Sequence, residues 1–144
     1  MNFQPQNPNF ATEVRDSFSK QHAMTLIGAE VVRVEPGEVD IALPFRADLT
    51  QQDGFIHAGM IATVADSACG YAAFTLMPPN SNVLAVEFKL NLLRPAKGSR
   101  FIAAASVLKA GRTLTVVRAD VFAEESDRKL IATMTGTMMC LPRT

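Results

Sequence analysis

Tryptophan is missing from this chain, tyrosine occurs once, at Tyr71, and cysteine and histidine occur twice each. Cys69 and Cys140 lie far apart with no CxxC spacing, and His22 and His57 are the only histidines, so no disulfide framework or metal site is expected. Both thiols are expected to be buried and reduced. An excess of either charge is also lacking. Lys plus Arg and Asp plus Glu both number 14, so no global field favours nucleic acid or an anionic membrane. The amino terminus, MNFQPQNPNF, has neither the basic start nor the apolar run of a secretion signal, which makes the cytoplasm the expected compartment. Internal repeats, low-complexity tracts and linkers are absent too. One domain over 1–144 is expected, with 1–23 as an N-terminal helical segment.

What is present is apolar material, 48% of 144 residues, enough for one sizeable core. Asn9 stands where a cap would open a first helix, with Phe10, Val14 and Phe18 on one face and Glu13 in the early turns, ending near Gln21 or His22. From Gly28 the period changes to two. Val32 and Val34 lead to the turn Pro36-Gly37, and Val39, Ile41 and Leu43 then alternate with Glu38, Asp40 and Ala42, as in a hairpin with one wet face. Four strands are expected in the second half, over 83–93, 100–110, 113–123 and 129–140. The breaks between them, at Pro95 to Gly98, Gly111-Arg112 and Glu125 to Asp127, are short enough for antiparallel connections.

Between the two sets of strands a long apolar helix begins near His57 and is closed by Met77-Pro78-Pro79. Its length invites a membrane-spanning reading. Thr63, Asp66, Ser67 and Thr75 make it a poor span, and a buried helix with a curled antiparallel sheet around it fits better, an α+β arrangement. On a helical projection Gly59, Ala62, Thr63, Asp66, Gly70 and Ala73 form one stripe of small residues, and Ile61, Val64, Ala65, Ala68 and Tyr71 form a core stripe. Asp66 is the only charge on the small stripe.

An acid placed there usually has a use. The first amides of the helix, around Ala58 and Gly59, have no intrahelical partner and form a natural oxyanion site. Eight residues separate Ala58 from Asp66, about 12 Å along the axis, so one carbonyl cannot touch both within a subunit. If the two cooperate, they come from different chains. A two-fold dimer with antiparallel helices meets that need twice.

Three motifs resemble the hotdog-fold acyl-CoA thioesterases of the phenylacetic-acid-degradation (PaaI-like) type: QQDGFIHAGMIATVADSACGYAA, VEFKLNLLRPAKG and GRTLTVVRADVF. The resemblance covers about 24–139. It implies a hotdog fold, an antiparallel sheet of five to six strands wrapped around one long central helix. It also implies hydrolysis of acyl-CoA to free acid and CoA, with no cofactor because coenzyme A is part of the substrate. In this family the acid nine residues after the histidine activates water or attacks the thioester, a role that falls on Asp66, and both routes stay open. The amide after the histidine, here Ala58, polarises the carbonyl; His57 orients the loop and its hydrogen bonds; Gln51 positions water or carbonyl; Gly59, with the next free amide, completes the expected catalytic set. Homodimers that pair into tetramers are implied.

Two departures stand out. The usual His-Gly-Gly is His57-Ala58-Gly59, tolerable because the amide is what matters, and Ala85 stands where some relatives place a Ser or Thr. Met60, Tyr71, Phe74 and Phe88 are candidate acyl-chain walls, and Arg94, Lys97 and Arg112 are candidate partners of the CoA phosphates. The closest likeness is to the branch acting on medium and long fatty acyl chains. Two other uses of the fold compete. One is an enoyl- or 3-hydroxyacyl-thioester hydratase or dehydratase with His57 as base; the other is a non-catalytic acyl-CoA-binding module.

Overall fold

The computed structural model describes residues 1–144. Its elements are α1 (Phe10–Ser19), α2 (His22–Ile27), β1 (Glu30–Glu35), β2 (Glu38–Pro44), α3 (Ala58–Phe74), β3 (Ser81–Leu92), β4 (Arg100–Ala110), β5 (Leu114–Glu124) and β6 (Arg128–Pro142), with a single 3-10 turn at Ala47–Leu49. All six strands form one antiparallel sheet in the order β1-β2-β4-β5-β6-β3. The sheet wraps α3, which packs against β2, β3, β4, β5 and β6. This is the hotdog arrangement expected from the sequence.

Burial of α3 follows its two stripes. Ile61, Val64, Ala65, Ala68 and Tyr71 are buried, whereas Gly59, Ala62, Thr63, Asp66 and Gly70 remain half-exposed. Ala73 departs from its stripe and is fully buried, because the last turn of α3 sinks into the core beside Phe74 and Leu76. No helix is long and apolar enough to cross a membrane.

Three local expectations need correction. Asn9 holds the N-cap position of α1 without a side-chain cap bond; the Asn7 Oδ1 accepts from the Asn9 N–H instead and turns the chain into the helix. A second helix, α2, continues where one helix was expected to stop, closed by Gly28 in a left-handed conformation (φ 76°). In β1 a bulge between Val31 and Arg33 breaks the period of two. Val31 and Val34 therefore pack on the core and Val32 points outward, where Val32 and Val34 were expected to share a face.

Neither edge of the sheet is closed by another strand. β1 is short and charged, with Arg15 donating to the Val31 carbonyl. β3 is long, and Leu84, Val86 and Phe88 are exposed at 57%, 52% and 45%. A long apolar edge of this kind is a surface for pairing.

Candidate functional site

The approach to α3 is held by a tight hydrogen-bonded loop. The His57 N–H donates to the Leu49 carbonyl and the Ile56 N–H to the Ala96 carbonyl, which pins the helix start to the segment after β3. Gln51 closes the loop from inside: its Oε1 accepts from the N–H groups of Asp53 (2.6 Å) and Phe55 (3.3 Å). With its carbonyl committed, Gln51 presents Nε2 as a free donor. It can orient an oxygen but cannot take a proton.

His57 is the N-cap of α3, and its Nδ1 accepts from the Gly59 N–H at 2.8 Å. A Cβ at position 59 would meet that same Nδ1 at 3.0 Å, so glycine is what lets the imidazole fold over the helix end. Position 58 has no such restriction, since Ala58 is not among the residues with positive φ. The motif therefore needs its second glycine and tolerates alanine in place of the first. One expectation is narrowed by this geometry. The Gly59 amide, a possible oxyanion donor, is already used by His57, leaving the Ala58 N–H as the amide without a partner. Gly59→Ala is expected to displace the imidazole and cost about 1 kcal/mol of stability, measured by thermal melting, because it loses a helix cap.

Asp66 sits two turns further along. Burial pushes its carboxyl above the ordinary carboxylate range, and its Oδ1 is buried without a hydrogen-bond partner. A buried carboxylate oxygen with nothing to accept from is costly and calls for a donor supplied from elsewhere. Cys69, one turn on, is driven the other way from reactivity: burial, and then the Asp66 charge, push its thiol up to about 12.

The two parts of the site line separate clefts. Gln51 and Ala58 share a mostly apolar cleft of about 470 Å³ with Leu92, Leu93 and Pro95. Asp66 opens onto two others: one of about 470 Å³ running toward the end of α3, lined also by Tyr71, Phe74 and Ala85, and one of about 270 Å³ lined by Thr63 and Phe88. None of these three clefts contains both Asp66 and Ala58, in keeping with their separation on the helix. Met60 packs partly buried against the core and lines none of these three.

The cations divide as well. Arg94 and Lys97 line a 370 Å³ cleft that shares Phe55, Arg94 and Pro95 with the one containing Ala58, and Lys129 joins them there. Arg112 lies at the β4–β5 turn and lines a different cleft with Gln6 and Cys140, away from the other two. Sequence reasoning also passed over Ser17, Gln21 and Ser67, which line the long cleft with Asp66. Ser67 was findable as the helical neighbour of Asp66. Ser17 and Gln21 come from the N-terminal segment, and no local pattern links them to it.

The sequence profile of the Thioesterase superfamily matches residues 53–129, from the Gln51 loop through the start of β6. A thioesterase family protein from Silicibacter pomeroyi has a similar crystal structure, with 51% identity, 92% of this chain and 98% of that one covered, and a TM-score of 0.91. The phenylacetic acid degradation protein PaaI of Thermus thermophilus is similar at 31% identity, over 83% of this chain and 98% of that one, with a TM-score of 0.73. A medium/long-chain acyl-CoA thioesterase of Salmonella typhimurium is 27% identical over 78% of this chain and 81% of its own length. The profile match covers more than half of the chain, and the chain belongs to the thioesterase superfamily as a PaaI-like member with the hotdog fold.

Proposed function

We propose that this thioester hydrolase acts on acyl-CoA, with Asp66 of one subunit and the Ala58 amide of a second subunit facing one thioester. The observation that carries the reading is complementarity: Asp66 has a buried oxygen without a donor, while the Ala58 N–H and the Gln51 amide line another cleft without an acceptor. Two copies related by a two-fold axis bring such halves together, and the exposed apolar edge of β3 gives them a surface to pair through. A pair of these dimers is the expected tetramer.

Thioester hydrolysis needs a nucleophile at the acyl carbon and donors where charge develops on oxygen. Asp66 takes the proton of a bound water, or attacks to form an anhydride that water then opens. The raised pKa makes it the stronger base of a buried carboxylate, and the Ala58 amide receives the developing charge. Gln51 Nε2 donates to the water or to the carbonyl. The pantetheine arm would leave through the apolar cleft beside Leu93 and Pro95, and Arg94, Lys97 and Lys129 would meet the phosphates at its outer end. No cofactor enters this scheme. The two unpaired thiols suit a reducing compartment such as the cytoplasm.

The hydratase reading requires His57 to accept a substrate proton. With Nδ1 occupied by the Gly59 amide, the neutral ring carries its proton on Nε2 and has no lone pair to offer. The test is thiol release from a panel of short, long and aromatic acyl-CoAs. Release of CoA thiol supports hydrolysis, whereas tight binding without release would leave an acyl-CoA-binding module. In the same assay Gln51→Ala is expected to lower turnover by about ten-fold, less than substitutions at Asp66 or Ala58, since it removes one donor of a shared set.

A further inference from the structure

Two glycines stand inside regular elements near the long Asp66 cleft, where local packing gives no reason for them. Gly70, in the middle of α3, lines the cleft, and a Cβ built on it would meet nothing within 4 Å. Alanine is the better helix former, so the missing methyl leaves space rather than avoiding a clash. Gly136 is buried in the middle of β6, where glycine weakens a strand. A Cβ there would meet the terminal methyl of Met138 at 3.0 Å, and after it the Glu87 carbonyl oxygen at 3.5 Å and Phe88 Cβ at 3.6 Å, both ordinary contacts. The backbone has room for alanine at 136. Met138 takes that room.

Met138 is fully buried and lines the same cleft as Gly70. It pairs with Ala85 on β3 and with Thr115 on β5, so short side chains flank it on both sides. An unbranched thioether with three rotatable bonds can turn its end in several directions. Here it lies back over Gly136, along its own strand. The helix wall of the cleft therefore has no side chain at Gly70, and on the sheet wall Met138 keeps its terminal methyl withdrawn. Asp66, Gly70 and Phe74 follow at four-residue spacing on α3, so the lane between the walls leads from the carboxylate toward Phe74, past Val83, Ala85 and Met138. That lining suits methylene groups.

We propose that the acyl chain runs between Gly70 and Met138, and that Met138, held over Gly136, sets the longest chain the cleft accepts. The inference rests on the hydrolase reading above and adds a specificity residue to it. The selection is steric. A methyl added at position 136 displaces the end of Met138, and the space open to it is the cleft. In a closely packed lane even one displaced methyl group opposes further methylenes.

The test measures thiol release over straight-chain acyl-CoAs from butanoyl to hexadecanoyl and over phenylacetyl-CoA. The proteins compared are the unaltered chain, Gly136→Ala, Met138→Leu, the double variant and Gly70→Ala, with thermal melting to verify folding. Gly70→Ala is expected to melt higher, because the helix gains alanine and nothing clashes with it. In Gly136→Ala the ratio of kcat/KM for the longest accepted chains to that for butanoyl-CoA should fall about ten-fold, and the upper length limit should drop by about two carbons. Gly70→Ala should shorten the profile from the opposite wall. Leucine keeps the volume of methionine but its branched end cannot lie back over Gly136, so Met138→Leu should shorten the profile too; adding Gly136→Ala to it should change the ratio less than about two-fold. If Gly136→Ala fails to fold, the profiles of Met138→Leu and Gly70→Ala decide. An unchanged profile in any of the single variants that fold overturns the proposal, as does an equal effect of Gly136→Ala with and without Met138. A parent that releases thiol from nothing longer than butanoyl-CoA also overturns it, and each of these results leaves hydrolysis standing. Absence of thiol release from every acyl-CoA overturns the hydrolase reading, and this proposal with it.

Discussion

Asp66→Asn is expected to lower thiol release by about a thousand-fold or more, because the amide can neither take a proton from water nor attack a carbonyl. The substitution is close to isosteric, so packing around α3 is retained. Stability should move in the opposite direction to activity. Burial holds the Asp66 pKa in the folded chain above its unfolded value, so the native state binds this proton more tightly. Stability then declines as pH rises through the window between the ordinary carboxylate value and the raised one, and the cost is fully present above that window. Asn carries no such cost. At neutral pH the variant should melt no lower than the parent, while turnover is lost. For the parent, kcat/KM should rise with pH through the raised Asp66 value, and the variant's residual rate should not follow that limb. A variant that retains near-normal turnover would remove Asp66 from the mechanism.

Ala58→Pro is expected to reduce turnover by about a hundred- to a thousand-fold through loss of a single hydrogen atom. Position 58 is the first residue of α3, where proline is well accommodated because its N–H has no intrahelical partner. His57 already has the extended ψ of 136° that a residue before proline prefers. The helix should therefore survive, and only the oxyanion donor should go. This variant also makes the two-subunit site testable. When Asp66→Asn and Ala58→Pro chains, each nearly inactive, are unfolded, mixed and refolded together, random pairing makes half the dimers mixed. Each mixed dimer has one site with Asp66 from one chain and the Ala58 amide from the other, so about one quarter of the parental activity should return. No recovery would place both groups in one subunit's site, contrary to their separation along α3. An active monomer in light scattering would do the same.

Most of the fold was legible because its signals are local. The period of two in Val39, Ile41 and Leu43 placed β2, and the small and large stripes of α3 anticipated its burial residue by residue, Ala73 excepted. The one-residue slip in β1 was not legible. A bulge depends on the partner strand, and Val31, Val32 and Val34 are equally apolar. Asn9 misled for a similar reason: Asn7, two residues earlier, competes for the same role, and only the path of the chain decides between them.

For the site, the spacing of His57, Ala58, Gly59 and Asp66 along one chain determined the most. Their order sets an axial distance no packing can change, and that distance alone requires the carboxylate and the amide to act from different subunits if they act together. Tertiary structure decided what each group has left to offer. Gly59 spends its amide on His57, Gln51 spends its carbonyl on its own loop, and Asp66 keeps an unmatched oxygen. It also brought Ser17 and Gln21 to the cleft beside Asp66 and left Arg112 at a distant turn. Backbone periodicity and helical rise are properties of neighbouring residues, so a sequence displays them directly. Hydrogen-bond valence is shared among atoms that meet only after folding, so which donors and acceptors stay free is a property of the packed chain.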